Sequence, residues 1–73
     1  MKTVEIFKTN VLNGKEAGNI ITFLITVYPE FIINFDLEDT DNILRIEANQ
    51  FEIEADNVIK YMIELGYSCE RIE

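Results

Sequence analysis

A chain of 73 residues has room for one domain, spanning 1–73, and a domain of this size buries only about 60% of its unfolded surface. Its composition, 48% hydrophobic and 27% charged, is that of a globular protein, and six basic against fourteen acidic residues leave a net charge of −8. That charge argues against a phosphate backbone or an anionic membrane as partner. No apolar stretch approaches the ~18 residues of a membrane span, the charged start at Lys2 and Glu5 lacks an apolar signal core, and one cysteine cannot form an internal disulfide; a cytoplasmic location is expected.

From Thr3 to Thr9 the chain alternates with the period of a strand, Val4 and Ile6 on one face and Thr3, Glu5 and Phe7 on the other. The alternation predicts Val4 and Ile6 inward and Phe7 outward. Asn10 to Gly14 reads as a loop, with Asn13 and Gly14 as turn residues. Lys15 to Tyr28 carries two conflicting signals. Ala17, Ile20, Ile21, Leu24, Ile25 and Tyr28 follow helical spacing, yet the run from Ile20 to Val27 is rich in the β-branched and aromatic residues that favour strands. Length and periodicity favour a helix, which Pro29 ends. Asn13 suits its N-cap, and Glu16 three residues later suits a capping box.

Phe31, Ile33, Phe35 and Leu37 alternate with Ile32, Asn34, Asp36 and Glu38, which predicts a second strand with an aromatic inner face. A polar turn from Glu38 to Asn42 leads to a third strand, Ile43 to Ala48, with Leu44 and Ile46 inward and Arg45 and Glu47 outward. The two strands form a hairpin. Asn49 to Ile53 is either a loop or a strand extension. Glu54 to Leu65 reads as a second helix, with Val58, Ile59, Met62, Ile63 and Leu65 as its buried stripe. Acidic residues at its start suit the helix dipole, and Gly66 suits its C-cap. Ser68 to Glu73 is a short final strand. Strand, helix, strand, strand, helix, strand is the order of an α+β, ferredoxin-like βαββαβ sandwich, with both helices on one face of a four-stranded antiparallel sheet.

Several local runs carry a resemblance. The segment Glu16-Ala-Gly-Asn-Ile-Ile-Thr-Phe-Leu24 opens a helix after a polar loop. Pro29-Glu-Phe31 precedes the second strand, Phe35-Asp-Leu-Glu38 closes it, and Leu65-Gly-Tyr67 closes the second helix. In this order and spacing, over nearly the whole chain, they resemble the heavy-metal-associated domain of small copper, zinc and mercury carriers. In that family two cysteines open the first helix and hold a soft metal. Here their positions fall on Asn13 and Glu16, and the chain has no histidine. Soft ions want thiolate or imidazole, so the scaffold is expected without its usual metal chemistry. The resemblance sets Tyr67 near the metal loop, where without metal its expected role is packing.

The candidates for chemistry are few. Asn13, Glu16 and Cys69 are the candidate soft-metal residues. Cys69, the one thiol, is otherwise expected as a small, partly buried hydrophobe. Asp36, Glu38, Asp39 and Asp41 cluster near the hairpin turn as candidate ligands for a hard cation, although their spacing is not that of an EF-hand. With no histidine base, nucleophile elbow or phosphate loop, neither a catalytic residue nor a cofactor is expected. Phe7, Ile32 and Ile43, the last placed opposite Ile32 in the hairpin, are the candidate interaction residues on an open sheet face. The expected function is a non-catalytic interaction or regulatory module whose partner is another protein or a second copy of the chain. The alternative is weak metal binding, metallochaperone-like, through Cys69 with Glu16 or through the acidic turn.

Overall fold

Capping and alternation resolve into six elements in the computed structural model, which describes residues 2–38, 40–50 and 52–72. They run β1 (Lys2–Thr9), α1 (Gly14–Val27), β2 (Ile32–Asp36), β3 (Ile43–Asn49), α2 (Ala55–Glu64) and β4 (Cys69–Ile72). The strands form one antiparallel sheet in the order β2-β3-β1-β4. This α+β arrangement is compatible with a ferredoxin-like fold. Among the described residues no helix is long and apolar enough to cross a membrane.

The conflict inside α1 is settled as the spacing predicts. Asn13 lies extended before the helix, and its Oδ1 accepts the Glu16 N–H at 2.9 Å, so one of the unpaired first-turn amides is satisfied. Two threonines that would weaken a helix turn their hydroxyls onto the preceding turn: Thr22 donates to the Gly18 carbonyl and Thr26 to the Thr22 carbonyl. At the far end the Tyr28 N–H closes the last turn on Leu24, ahead of Pro29. Ala17, Ile20 and Leu24 are buried, whereas Ile25, expected in the stripe, is exposed.

α2 ends in a Schellman motif. Gly66 takes a φ of +96°, its N–H reaches the Ile63 carbonyl, and the Tyr67 N–H reaches the Met62 carbonyl. A residue with a Cβ is strained at that φ, which is the local reason for glycine. The buried stripe of α2 is narrower than expected. Val58 and Met62 are buried and Ile59 is half-buried, but Ile63 is 60% exposed and Leu65, the C-cap itself, also faces solvent.

The register of the sheet fixes which face is inside. β3 pairs with β1 as Phe7↔Leu44 and Glu5↔Ile46, and with β2 as Phe35↔Leu44 and Ile33↔Ile46. Residues paired across strands share a face, so Phe7 goes inward with Leu44 and Ile46. The expected facing of β1 is therefore inverted. Phe7 is 0% exposed, whereas Val4 and Ile6 lie on the outer face, each 38% exposed. Inward Glu5 is neutralised by Arg71, whose Nε and Nη2 donate to its two carboxylate oxygens at 2.7 and 3.1 Å. The hairpin register also differs from expectation. Ile43 pairs with Asp36, and Ile32 pairs with Glu47, because the connection closes between Asp36 and Ile43.

One core joins the layers: Phe7 and Val11, Ala17, Ile20 and Leu24 of α1, Phe31 just before β2, Ile33, Leu44, Ile46 and Ala48 of the sheet, and Val58 and Met62 of α2. Ile53 joins it from the segment between β3 and α2, where the sequence left loop and strand open. Both helices thus bury their stripes against one face of the sheet, and among the described residues no element covers the other.

Candidate functional site: the helix-opening loop and the open sheet face

The loop from β1 to α1 is where the sequence places its candidate soft-metal residues. Val11 is fully buried and anchors the loop in the core, which turns its neighbour Leu12 out to solvent. The Asn10 side chain accepts the Ser68 N–H at 2.9 Å and so joins this loop to the turn before β4. That junction brings Tyr67 to Glu16. Partial burial first, and then the charge and hydrogen bond of the Glu16 carboxylate, push the Tyr67 phenol above its usual range. Asn13 and Glu16 are therefore both engaged, Asn13 in capping α1 and Glu16 in meeting Tyr67 through its carboxylate and Asn13 through its amide. Tyr67 packs against the core as expected, with the Glu16 carboxylate near its phenol.

Cys69 opens β4 opposite Thr9, packed against the core. Burial pushes its thiol up to about 11. A thiol that holds its proton is a poor nucleophile and a poor soft-metal ligand at neutral pH. Its alkylation should be slow in a predictable degree. Raising the pKa from 9.0 to about 11 removes about a hundredfold of the thiolate at pH 8, while the greater basicity of what remains returns about tenfold. A tenfold slower reaction with iodoacetamide than in the urea-unfolded chain is the expected outcome. The same shift sets a pH dependence. Between the unfolded value and about 11 the folded state holds more protons than the unfolded state, so stability falls as pH rises through that window.

The acidic turn is built into the hairpin. Asp36 Oδ1 accepts the Glu38 N–H, and Asp41 pairs with Lys8 at 3.5 Å while its carbonyl accepts the Thr9 N–H. Asp39 lies outside the described residues. Among the described residues, no three cysteines or carboxylates gather as a metal-holding group. A polar hollow of ≈ 490 Å³ opens between the Glu5–Arg71 pair and the start of α2. Its cation is already committed to Glu5.

The outer face of the sheet is different in kind. Pairing places its residues in rows: Lys2 and Asn49; then Ile32, Glu47 and Val4; then Asn34, Arg45, Ile6 and Ile72; then Asp36, Ile43, Lys8 and Glu70. Val4, Ile6, Ile32 and Ile72 are exposed there, Ile43 is half-buried, and a shallow depression of ≈ 480 Å³ opens among Ile6, Asn34, Ile43 and Arg45. Arg45 Nη2 meets Glu47 at 2.8 Å, and Lys2 meets the same carboxylate at 3.3 Å. Of the three interaction candidates, Ile32 and Ile43 lie on this face, and Phe7 is removed from it by its place in the core. The sequence reading missed Val4, Ile6 and Ile72 as members. The signal was the pairing of β1 with β3: once Leu44 is inward, Phe7 opposite it must be too. Against known proteins, no family model, no curated protein and no solved structure matches this chain.

Proposed function

We propose that this is a heavy-metal-associated-like, ferredoxin-like βαββαβ domain that works as a non-catalytic protein-interaction or regulatory module without a soft-metal site. The observation that carries the reading is the state of the helix-opening loop. Where the resembling family has two thiolates, Asn13 caps α1 and Glu16 meets Tyr67, while the one thiol is packed in β4 with its proton held. The element order, the strand order β2-β3-β1-β4 and the burial of both helices on one face support the fold assignment. The apolar residues on the uncovered sheet face support recognition of a protein, since such a patch marks an interaction surface. A single cysteine suits a reducing compartment, and the cytoplasm is the location we propose.

The test is an amide NMR titration of the reduced protein with copper(I), zinc and calcium. The expected result is no shift at residues 10–17 or at Cys69 with micromolar copper(I) or zinc. Saturable shifts confined to those residues, lost in Cys69→Ser, would establish a modified soft-metal site and overturn the reading. Calcium shifts confined to residues 36–42, lost when Asp39 and Asp41 are both replaced by Asn, would overturn it in favour of a hard-cation site at the hairpin turn.

A further inference from the structure

Resting on the interaction-module reading, we propose that the uncovered face of the sheet takes a second copy of this chain, the two sheets packed face to face. The argument is one of charge. Three of the six basic side chains, Lys2, Lys8 and Arg45, and three of the fourteen acidic ones, Asp36, Glu47 and Glu70, belong to the outer rows. Asp41 joins them at the edge, against Lys8, so among the described residues the face carries a net −1 and the remainder −5. Two copies meeting through any acidic part of the surface bring like charges together. Meeting through this face they bring together aliphatic side chains and basic groups that are already paired, Lys2 and Arg45 with Glu47 and Lys8 with Asp41. A strongly basic partner, by contrast, is drawn to the acidic remainder and gains little from a nearly neutral face.

Composition and symmetry agree with that occupant. Ile6 and Ile72 are paired neighbours on β1 and β4, with Val4 beside them, and Ile43 and Ile32 extend the apolar surface toward the other edge. Contact between two copies of one face is isologous, so each aliphatic side chain is used twice. The footprint is small. Four strands at ~4.8 Å spacing and about 20 Å of strand length give roughly 400 Å², about half of what each partner buries in a standard complex. The pair is therefore a weak, transient dimer.

The experiment is a dilution series of the intact protein from about 2 mM to about 20 μM, the range of a weak contact, by sedimentation velocity and amide NMR. The expected result is a monomer–dimer equilibrium with concentration-dependent shifts centred on Val4, Ile6, Ile43, Arg45 and Ile72. Added salt should tighten the dimer, because it screens repulsion between the two acidic remainders. Ile6→Glu should weaken it at least tenfold, and Ile63→Glu, on the exposed side of α2, should leave it unchanged. Val4→Lys serves as a second outer-face variant, and the wild-type shift map needs no variant to fold. A protein still monomeric at the top of the series overturns the second-copy proposal, as do shifts centred on the helices. Neither result touches the loop chemistry that carries the interaction-module reading, which fails only in the metal titration.

Discussion

Phe7→Ala should cost about 3–5 kcal/mol, and Ile6→Ala, one residue away on the same strand, about 1 kcal/mol. Phe7 is fully buried, opposite Leu44 and within the core that joins sheet and helices, so truncation leaves a cavity that its neighbours cannot close. Ile6 stands on the outer face, 38% exposed, and loses a side chain that water already touches. For a chain this short the total stability is roughly 4–11 kcal/mol, so Phe7→Ala removes about a quarter of it or more and Ile6→Ala a minor part. Urea denaturation at low micromolar protein, where any dimer is dissociated, measures both. The order of the two effects decides the facing of β1. If Ile6→Ala proved the costlier, the strand would be turned over, and the outer surface described above would lose its central residue.

That inversion shows what single-strand alternation can and cannot carry. β2 and β3 were legible because most of their apolar residues fall on one face, Ile33 and Phe35, then Leu44, Ile46 and Ala48, against a single isoleucine each, Ile32 and Ile43, on the other. β1 divides its apolar residues between faces, two small aliphatics against one phenylalanine, and adds Glu5 on the side that is in fact inward. What makes an inward carboxylate tolerable is Arg71, 66 residues away, and no local pattern reveals it. The helix ends were legible because capping is local: Asn13 reaches only to Glu16, and Gly66 needs only its positive φ. The width of the α2 stripe was not, because Ile63 lies to the side of Val58 and Met62 and its exposure depends on where neighbouring elements stop. At the loop, Asn13 was legible as a cap, but the approach of Tyr67 to Glu16 depends on the Asn10–Ser68 bond between segments 58 positions apart. The nearly neutral sheet face emerges only after the strand order and the facing of β1 are both known.

Thr9→Val should cost about 2 kcal/mol, and Thr9→Ser about 1 kcal/mol. Thr9 is the one buried polar residue among those described, at the end of β1, and its hydroxyl is used twice. It donates to the Asn42 carbonyl at 2.6 Å and accepts the Val11 N–H at 3.2 Å. One side chain thus holds together the strand, the turn before β3, where Asn42 sits at a φ of 47°, and the loop that leads into α1. Valine has nearly the same shape but no hydroxyl, so packing is kept and both hydrogen bonds are lost. The two bereft groups do not fare alike. The half-buried Asn42 carbonyl can find water, whereas the Val11 N–H belongs to a fully buried residue and carries most of the penalty. Serine keeps both bonds and gives up one buried methyl. Denaturation gives the energies, and native-state hydrogen exchange locates them: the Val11 amide should lose protection in Thr9→Val and keep it in Thr9→Ser. Equal losses in the two variants would mean that the methyl, not the hydroxyl, secures this corner. The consequence for the site is direct, since Val11 anchors the loop that carries Leu12, Asn13 and, through the first turn of α1, Glu16. A loop loosened at Val11 should release the Tyr67–Glu16 contact as well, and the Tyr67 phenol, followed by its ultraviolet titration, should then fall back toward its ordinary range.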